Sequence, residues 1–250
     1  MIFFFVIKIG VTGSTGRMAQ ALQAEIKSQN DCKLSGFFGK NAGSVQNMGE
    51  LFEISDIVID FTTPYATMEC LKYIKNKTFI CGTTGLNSDQ IESIKKCGQY
   101  SKILLASNMS FGVAVIQYIL KNIVPLLKDF DVEIVEKHHN KKADSPSGTA
   151  LSIGKNIANI KGIDFDKNAV FNRSGIRKAN DIGFASIRGG TVAGEHTIGF
   201  FGDKEVIEIT HKAENRDIFA IGAVKLAKIV HQRSQNGFFE IDDIISSYIL

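Results

Sequence analysis

No CxxC pair occurs in this chain. Its cysteines, Cys32, Cys70, Cys81 and Cys97, stand far apart with no histidine-ligand pattern around them, which argues against a structural zinc site and a disulfide framework. Four buried free thiols in a reducing cytosol are expected instead. A run near the roughly 18 uninterrupted apolar residues of a membrane span is also missing. The nearest approach is the apolar opening MIFFFVI. It lacks the basic flank and small-residue cleavage site of a signal peptide and passes straight into a glycine-rich turn, so it reads as a buried first strand. The formal charge is only +3. No long basic face with interleaved aromatics accompanies it, so nucleic-acid binding is not expected. No internal repeat or low-complexity linker breaks the 250 residues, and a hydrophobic content of 44% is enough to bury a large core in one or two domains. These absences leave a soluble, cytoplasmic globular protein.

What is present first is alternation. Residues 3–12 form a β-branched and aromatic run. After a turn, RMAQALQAEIKS continues with helical spacing through Met18, Leu22 and Ile26. Strands are expected at Lys33–Phe38, Asp56–Phe61, Thr78–Cys81 and Lys102–Ala106, with helices after Pro64 and after Ser88, the latter capped by Ser88. Short apolar strands alternating with helices predict an α/β protein with a Rossmann-type, doubly wound parallel sheet. The pattern changes near residue 110. A helix near Val113–Leu127 precedes a strand at Asp131–Lys137, and a second helix runs from about Gly148 to Ile160. Residues 161–182 are polar and read as a mobile loop. IGFASIRGG, EHTIGFFG and EVIEITHKA then look like consecutive strands of a mixed or antiparallel sheet. The last 35 or so residues return to helix. The chain thus divides into residues 1–109 with 217–250, a dinucleotide-binding domain, and residues 110–216, a second α+β domain.

The first turn places Gly10, Gly13 and Gly16 between the first strand and the first helix. Glycines there let the backbone approach a pyrophosphate, and the helix start offers free N–H groups and a positive dipole end. No Gly-Lys-Ser/Thr follows, so a nicotinamide or flavin dinucleotide is favoured over a nucleoside triphosphate. The second strand ends in SGFFGKNAG, which has no carboxylate for the ribose hydroxyls. Lys40 stands there and can pair with a 2′-phosphate, so NADPH is expected to serve at least as well as NADH.

Between Glu136 and Ala150 the chain reads EKHHNKKADSPSGTA. Two imidazoles can exchange protons near neutral pH, and clustered lysines attract carboxylates. Pro146 pre-sets the turn, and the N–H groups of Gly148 and Thr149, opening a helix, can hold a carboxylate. An acid beside an anion site points to an enzyme for a small acidic substrate. Adjacent His138 and His139 on a strand would face opposite ways, and no cluster has metal-ligand spacing.

These segments together carry a resemblance. GSTGRM, DFTTP, CGTTG, SNMSFGV, EKHHNKKADSPSGTA, IGFASIRGGTVAGEH and ITHKAENR span nearly the whole chain, and the chain resembles the dihydrodipicolinate reductase (4-hydroxy-tetrahydrodipicolinate reductase) family of bacterial lysine and diaminopimelate biosynthesis. The resemblance implies NAD(P)H-dependent reduction of a cyclic dicarboxylate. It implies that Gly13, Ser14, Thr15, Gly16, Arg17 and Met18 line the pyrophosphate and that Lys40 meets the 2′-phosphate. Gly82, Thr83, Thr84, Ser107, Asn108, Met109 and Ser110 would border the nicotinamide. His138 takes the acid/base position, Lys142 the proton-donor position, and His139, Gly148 and Thr149 the substrate-carboxylate site. It further implies a homotetramer built through the second-domain sheets, with the two domains closing over the cofactor. Three positions depart from the family pattern: Ala19 replaces a third glycine, Gly39 an acidic residue, and Met109 a phenylalanine.

Other conspicuous residues carry less. His196 and His211 are expected to be structural, Arg173 and Arg188 to bind anions or be solvated, and Asp60 to be a sheet-end carboxylate. A non-catalytic dinucleotide-sensing module of the same fold is the second reading. The presence of both His138 and Lys142 disfavours it.

Overall fold

The computed structural model describes residues 6–40 and 42–249. The chain divides into two compact units, Met1–Phe111 with Asp217–Leu250, and Gly112–Arg216.

The first unit opens with β1 (Ile7–Thr12), whose Ile9 and Val11 are fully buried. The expected start at residue 3 lies outside the described residues. Next comes α1 (Arg17–Ser28), which buries Ala19, Leu22 and Ile26 along one face. The chain continues through β2 (Cys32–Phe38), α2 (Met48–Ile54), β3 (Ile57–Asp60), α3 (Pro64–Cys70), β4 (Thr78–Cys81), α4 (Ser88–Lys96) and β5 (Lys102–Leu105). Strands β3 and β4 are buried at every position, as a parallel sheet covered on both faces requires. Two expectations need correction here. Helix α2 has no counterpart in the sequence reading, and α4 is capped by Asn87 rather than Ser88. The Asn87 side chain accepts from the Gln90 N–H at 2.9 Å while Gln90 accepts from the Asn87 N–H, a reciprocal box that Ser88, one residue inside, cannot make.

The second unit contains most of α5 (Phe111–Ile123), then β6 (Asp131–His138), α6 (Gly148–Lys161), α7 (Phe165–Asn168), β7 (Ala169–Phe171), β8 (Ile182–Arg188), β9 (Gly194–Phe201) and β10 (Val206–Ala213). Its sheet runs β10-β9-β6-β8-β7. Pairing is parallel for β6–β8 and β7–β8 and antiparallel for β6–β9 and β9–β10, so the sheet is mixed. Val132, Ile134, Ile198 and Phe200 pack on Ile153 and Ile157 of α6. The segment expected as a mobile loop is instead α7, β7 and a pinned turn. Arg173 bonds Asp181 and Glu133, each at 2.7 Å, and Arg177 bonds Glu133 at 2.7 Å. Its polarity reflects ion pairs, and neither arginine is a free anion binder.

The chain returns to the first unit with α8 (Asp217–His231), β11 (Gly237–Phe239) and α9 (Ile241–Ile249). Strand β11 was not expected. Its three residues gain strand character by pairing with β5, which completes the parallel order β11-β5-β4-β3-β1-β2. Helices α1 and α8 share one core with β1 and β3.

Candidate active site

In the first unit, the turn after β1 is shaped by conformation and by close approach. Gly13 has φ +85°, a left-handed value that strains any other L-residue, and its N–H donates to the Phe38 carbonyl at 2.7 Å. Gly16 caps α1 without a side-chain acceptor, and a Cβ there would meet nothing within 4 Å. The opening N–H groups of a twelve-residue helix therefore have no competing side-chain acceptor at the cap, as an anion site requires. Residues Gly13 to Ala19, Gly39, Lys40, Phe61 and Thr62 line a cavity of about 410 Å³. Arg17 and Lys40 are exposed. At Gly39, a Cβ would lie 2.5 Å from Ser14 Oγ and 2.9 Å from Ser14 N, so an acidic side chain would collide with the phosphate turn itself.

Along the same C-terminal edge of the sheet sits Asp60, which is fully buried. Its carboxylate accepts from Thr12 at 2.5 Å, Thr62 at 2.6 Å, Thr67 at 2.5 Å and Thr83 at 3.0 Å. Four hydroxyls from the ends of β1 and β4, the turn after β3 and the following helix thus fix the sheet edge. The Thr83 hydroxyl also accepts from the Thr62 N–H at 3.0 Å, so it is committed inward.

In the second unit, strand alternation and the unusual acids of β6 build the site. Glu136 and His138 fall on the helix-covered face with Val132 and Ile134. Glu136 is paired in register with His196 on β9 and Ser186 on β8, and His138 with Arg188. The Glu136 carboxylate, 0% exposed, bonds His138 Nδ1 at 2.5 Å and takes both Arg188 nitrogens, at 2.8 and 2.6 Å. Burial works against its charge, but Arg188, Ser186 and His138 outweigh burial and hold it at about 2. Burial lowers His138 from its ordinary value, with Glu136 opposing. His196 lies edge-on to His138, with ring centroids 5.2 Å apart, and its Nε2 is 3.0 Å from Ser147 Oγ. Burial, helped by the charge of His138, pushes His196 down to about 4, which keeps it neutral near pH 7.

Beyond β6 the chain folds back so that the Lys142 N–H meets the His139 carbonyl at 3.2 Å. Lys142 Nζ donates to Asp144 at 2.8 Å, and that bond holds the Asp144 carboxyl below its usual range. Ser147 caps α6, its hydroxyl accepting from the Ala150 N–H at 3.1 Å, and Gly148 is exposed. A carboxylate of the chain thus already rests against an ammonium, three residues before the α6 cap. His139 Nε2 accepts from Arg216 at 2.8 Å.

Two family models match the chain: the N-terminal part of dihydrodipicolinate reductase over residues 7–109 and the C-terminal part over residues 112–245. The chain belongs to the dihydrodipicolinate reductase family. Relatives named 4-hydroxy-tetrahydrodipicolinate reductase include one from Campylobacter lari, 39% identical over 245 residues, covering 96% of this chain and 99% of the relative. One from Rickettsia rickettsii is 37% identical over 241 residues, covering 95% and 98%. Among solved structures, a dipicolinate-bound dihydrodipicolinate reductase from Paenisporosarcina shares the fold. Its TM-score is 0.77 at 22% identity, and the match covers 94% of this chain and 98% of that one.

The residues expected to meet the dinucleotide separate into two groups here. Gly13 to Met18 and Lys40 meet in one cavity. Gly82 to Thr84 and Ser107 to Ser110 follow β4 and β5 on the same sheet edge and do not line that cavity. Gly82 is required as glycine because a Cβ would sit 2.3 Å from the Phe61 ring. Met109 is 1% exposed and belongs to the core, which leaves almost none of its surface for a cofactor. Thr83 is 4% exposed, with its hydroxyl committed to the Asp60 cage. The sequence reading gave Glu136 no role and left Arg188 as an anion binder or a solvated residue. Arg188 in fact forks onto a buried acid. His196 is hydrogen-bonded to Ser147 and packs on the proposed acid. The alternation of β6 is the signal that could have put Glu136 beside His138.

Proposed function

We propose that this chain is a 4-hydroxy-tetrahydrodipicolinate reductase. It would reduce the dehydrated form of that compound to tetrahydrodipicolinate with NADPH or NADH, in lysine and diaminopimelate biosynthesis. The carrying observation is the Asp144 carboxylate held by Lys142 Nζ at 2.8 Å, just before the α6 cap Ser147. It supports the reading that this corner of the second unit accepts a carboxylate beside a proton source. The first unit fits a dinucleotide, with Gly13 to Met18 around the pyrophosphate and the α1 opening as anion site. Lys40, beside a Gly39 that has no room for an acid, suits a 2′-phosphate, so NADPH is the favoured form. A bound dinucleotide supplies the hydride, which adds to one ring carbon. The electron pair displaced by it draws a proton onto the neighbouring ring atom. His138 or Lys142 delivers that proton, and Lys142 also steadies negative charge as it grows. His139, Gly148 and Thr149 hold the ring carboxylates.

The second unit is also the proposed assembly surface. The face of its sheet away from α6 exposes Ile187, Phe201 and Val206, with Lys137 and Glu195 paired at 3.3 Å. An open, mixed apolar and charged sheet face suits a homotetramer of this chain. All four cysteines are free and buried, which supports a cytoplasmic site, and among the described residues no helix is long and apolar enough to cross a membrane.

The test is NADPH oxidation on adding freshly made 4-hydroxy-tetrahydrodipicolinate, followed at the nicotinamide absorbance. Wild-type protein should turn over, and His138→Gln and Lys142→Ala should each lower kcat by more than about tenfold. Folded protein that binds NADPH but oxidises none of it would leave the dinucleotide-sensing module as the better reading.

A further inference from the structure

Glu136 takes no part in the reaction as described, yet it is the most heavily bonded side chain around His138. It is completely buried, and its two oxygens receive four hydrogen bonds from three parts of the second unit. Oε2 takes His138 Nδ1 at 2.5 Å and Arg188 Nη1 at 2.8 Å. Oε1 takes Arg188 Nη2 at 2.6 Å and the Ser147 N–H at 3.2 Å. An ionised acid so placed is tolerated only with a fixed counter-charge, and the parallel pairing of β6 with β8 supplies one, since Arg188 lies in register with His138.

We propose that Glu136 is a positioning residue: it fixes His138 with the proton on Nδ1, leaves Nε2 as the nitrogen that gives and takes protons, and locks that ring to the opening of α6. The proposal rests on the reading of His138 as the acid. A carboxylate against Nδ1 requires hydrogen there in both the neutral and the charged ring, so only the Nε2 proton can come and go. The same carboxylate grips the Ser147 amide, one residue before Gly148. One buried group therefore sets both the acid and the helix start that receives a substrate carboxylate. Arg188 has the opposing duty. Without it, an uncompensated Glu136 would hold the imidazolium too firmly to release its proton. The charged and titratable groups around His138 are Glu136 on its own strand, Arg188 on β8, His196 on β9 and Lys142 in the following loop.

The experiment compares wild type, Glu136→Gln, Glu136→Asp and Arg188→Met in the full-length protein by nitrogen-15 NMR of the histidines and by the pH profile of kcat. Wild-type His138 should show the Nδ1–H tautomer. Glu136→Gln should mix the tautomers and lower kcat by about tenfold or more with the KM for NADPH unchanged. It should also move the limb on which activity falls with rising pH to lower pH, because the imidazolium has lost its negative neighbour. Glu136→Asp should recover part of kcat, and Arg188→Met should move the limb to higher pH. A wild-type Nε2–H tautomer overturns the proposal even if every variant fails to fold. So does a Glu136→Gln protein that loses stability while its tautomer and pH limb stay put, the result of a purely structural ion pair. If His138→Gln kept full activity, the reading of His138 as acid would fail. The tautomer measurement would still judge whether Glu136 orients the ring.

Discussion

Removing His196 should flatten the acid side of the stability profile. The ring is 5% exposed, its Nδ1 has no hydrogen-bond partner among the described residues, and burial pushes its pKa down to about 4 from the ordinary histidine value of 6.5. The folded chain therefore keeps His196 neutral where the unfolded chain has already taken up a proton. As pH falls below the unfolded value, protonation favours the unfolded state. Stability is lost down to about pH 4 and no further from this group. Between about pH 7 and about pH 5 the loss comes to about 2 kcal/mol, from the ratio of the two binding polynomials. Burial also lowers His138, His211 and His231, so the wild-type loss should exceed that figure, and the difference between wild type and His196→Gln isolates this ring. Urea unfolding at the two pH values, with m held common, measures it. Equal losses in wild type and variant would refute the argument that burial keeps His196 neutral.

Lys40→Ala should raise the KM for NADPH by about tenfold, the equivalent of one ion pair of ~1.4 kcal/mol, and leave that for NADH within about twofold. Steady-state kinetics with both cofactors checks this, and equal effects on the two would remove Lys40 from the 2′-phosphate. Light scattering should give about four times the mass of one chain, and Val206→Glu, which puts a charge on the open sheet face, should yield smaller species. A wild-type monomer would contradict the assembly reading.

The sequence was most legible where one local signal was enough. The run Thr78–Cys81 lies between Lys77 and Gly82 and is a strand with those bounds. Met18, Leu22 and Ile26 marked α1, and the glycines around it marked the phosphate turn. Strand β11 was hidden because three residues carry no periodicity and become a strand only by pairing with β5. The polar stretch 161–182 looked loose because Arg173 and Arg177 meet Glu133 only when this segment comes beside β6. Asp60 was placed at a sheet end, but its cage of threonines comes from four separate segments.

The chain by itself determined an alternating α/β half, a mixed-sheet half, and a motif of two histidines, a lysine and a helix-opening turn, because periodicity and turn chemistry are local. Only the tertiary structure decided which nitrogen of His138 faces a carboxylate, why Gly39 cannot carry an acid, and that Arg188 serves a buried glutamate. Each of those depends on strand register and on approaches between residues far apart in the chain, which no stretch of sequence encodes alone.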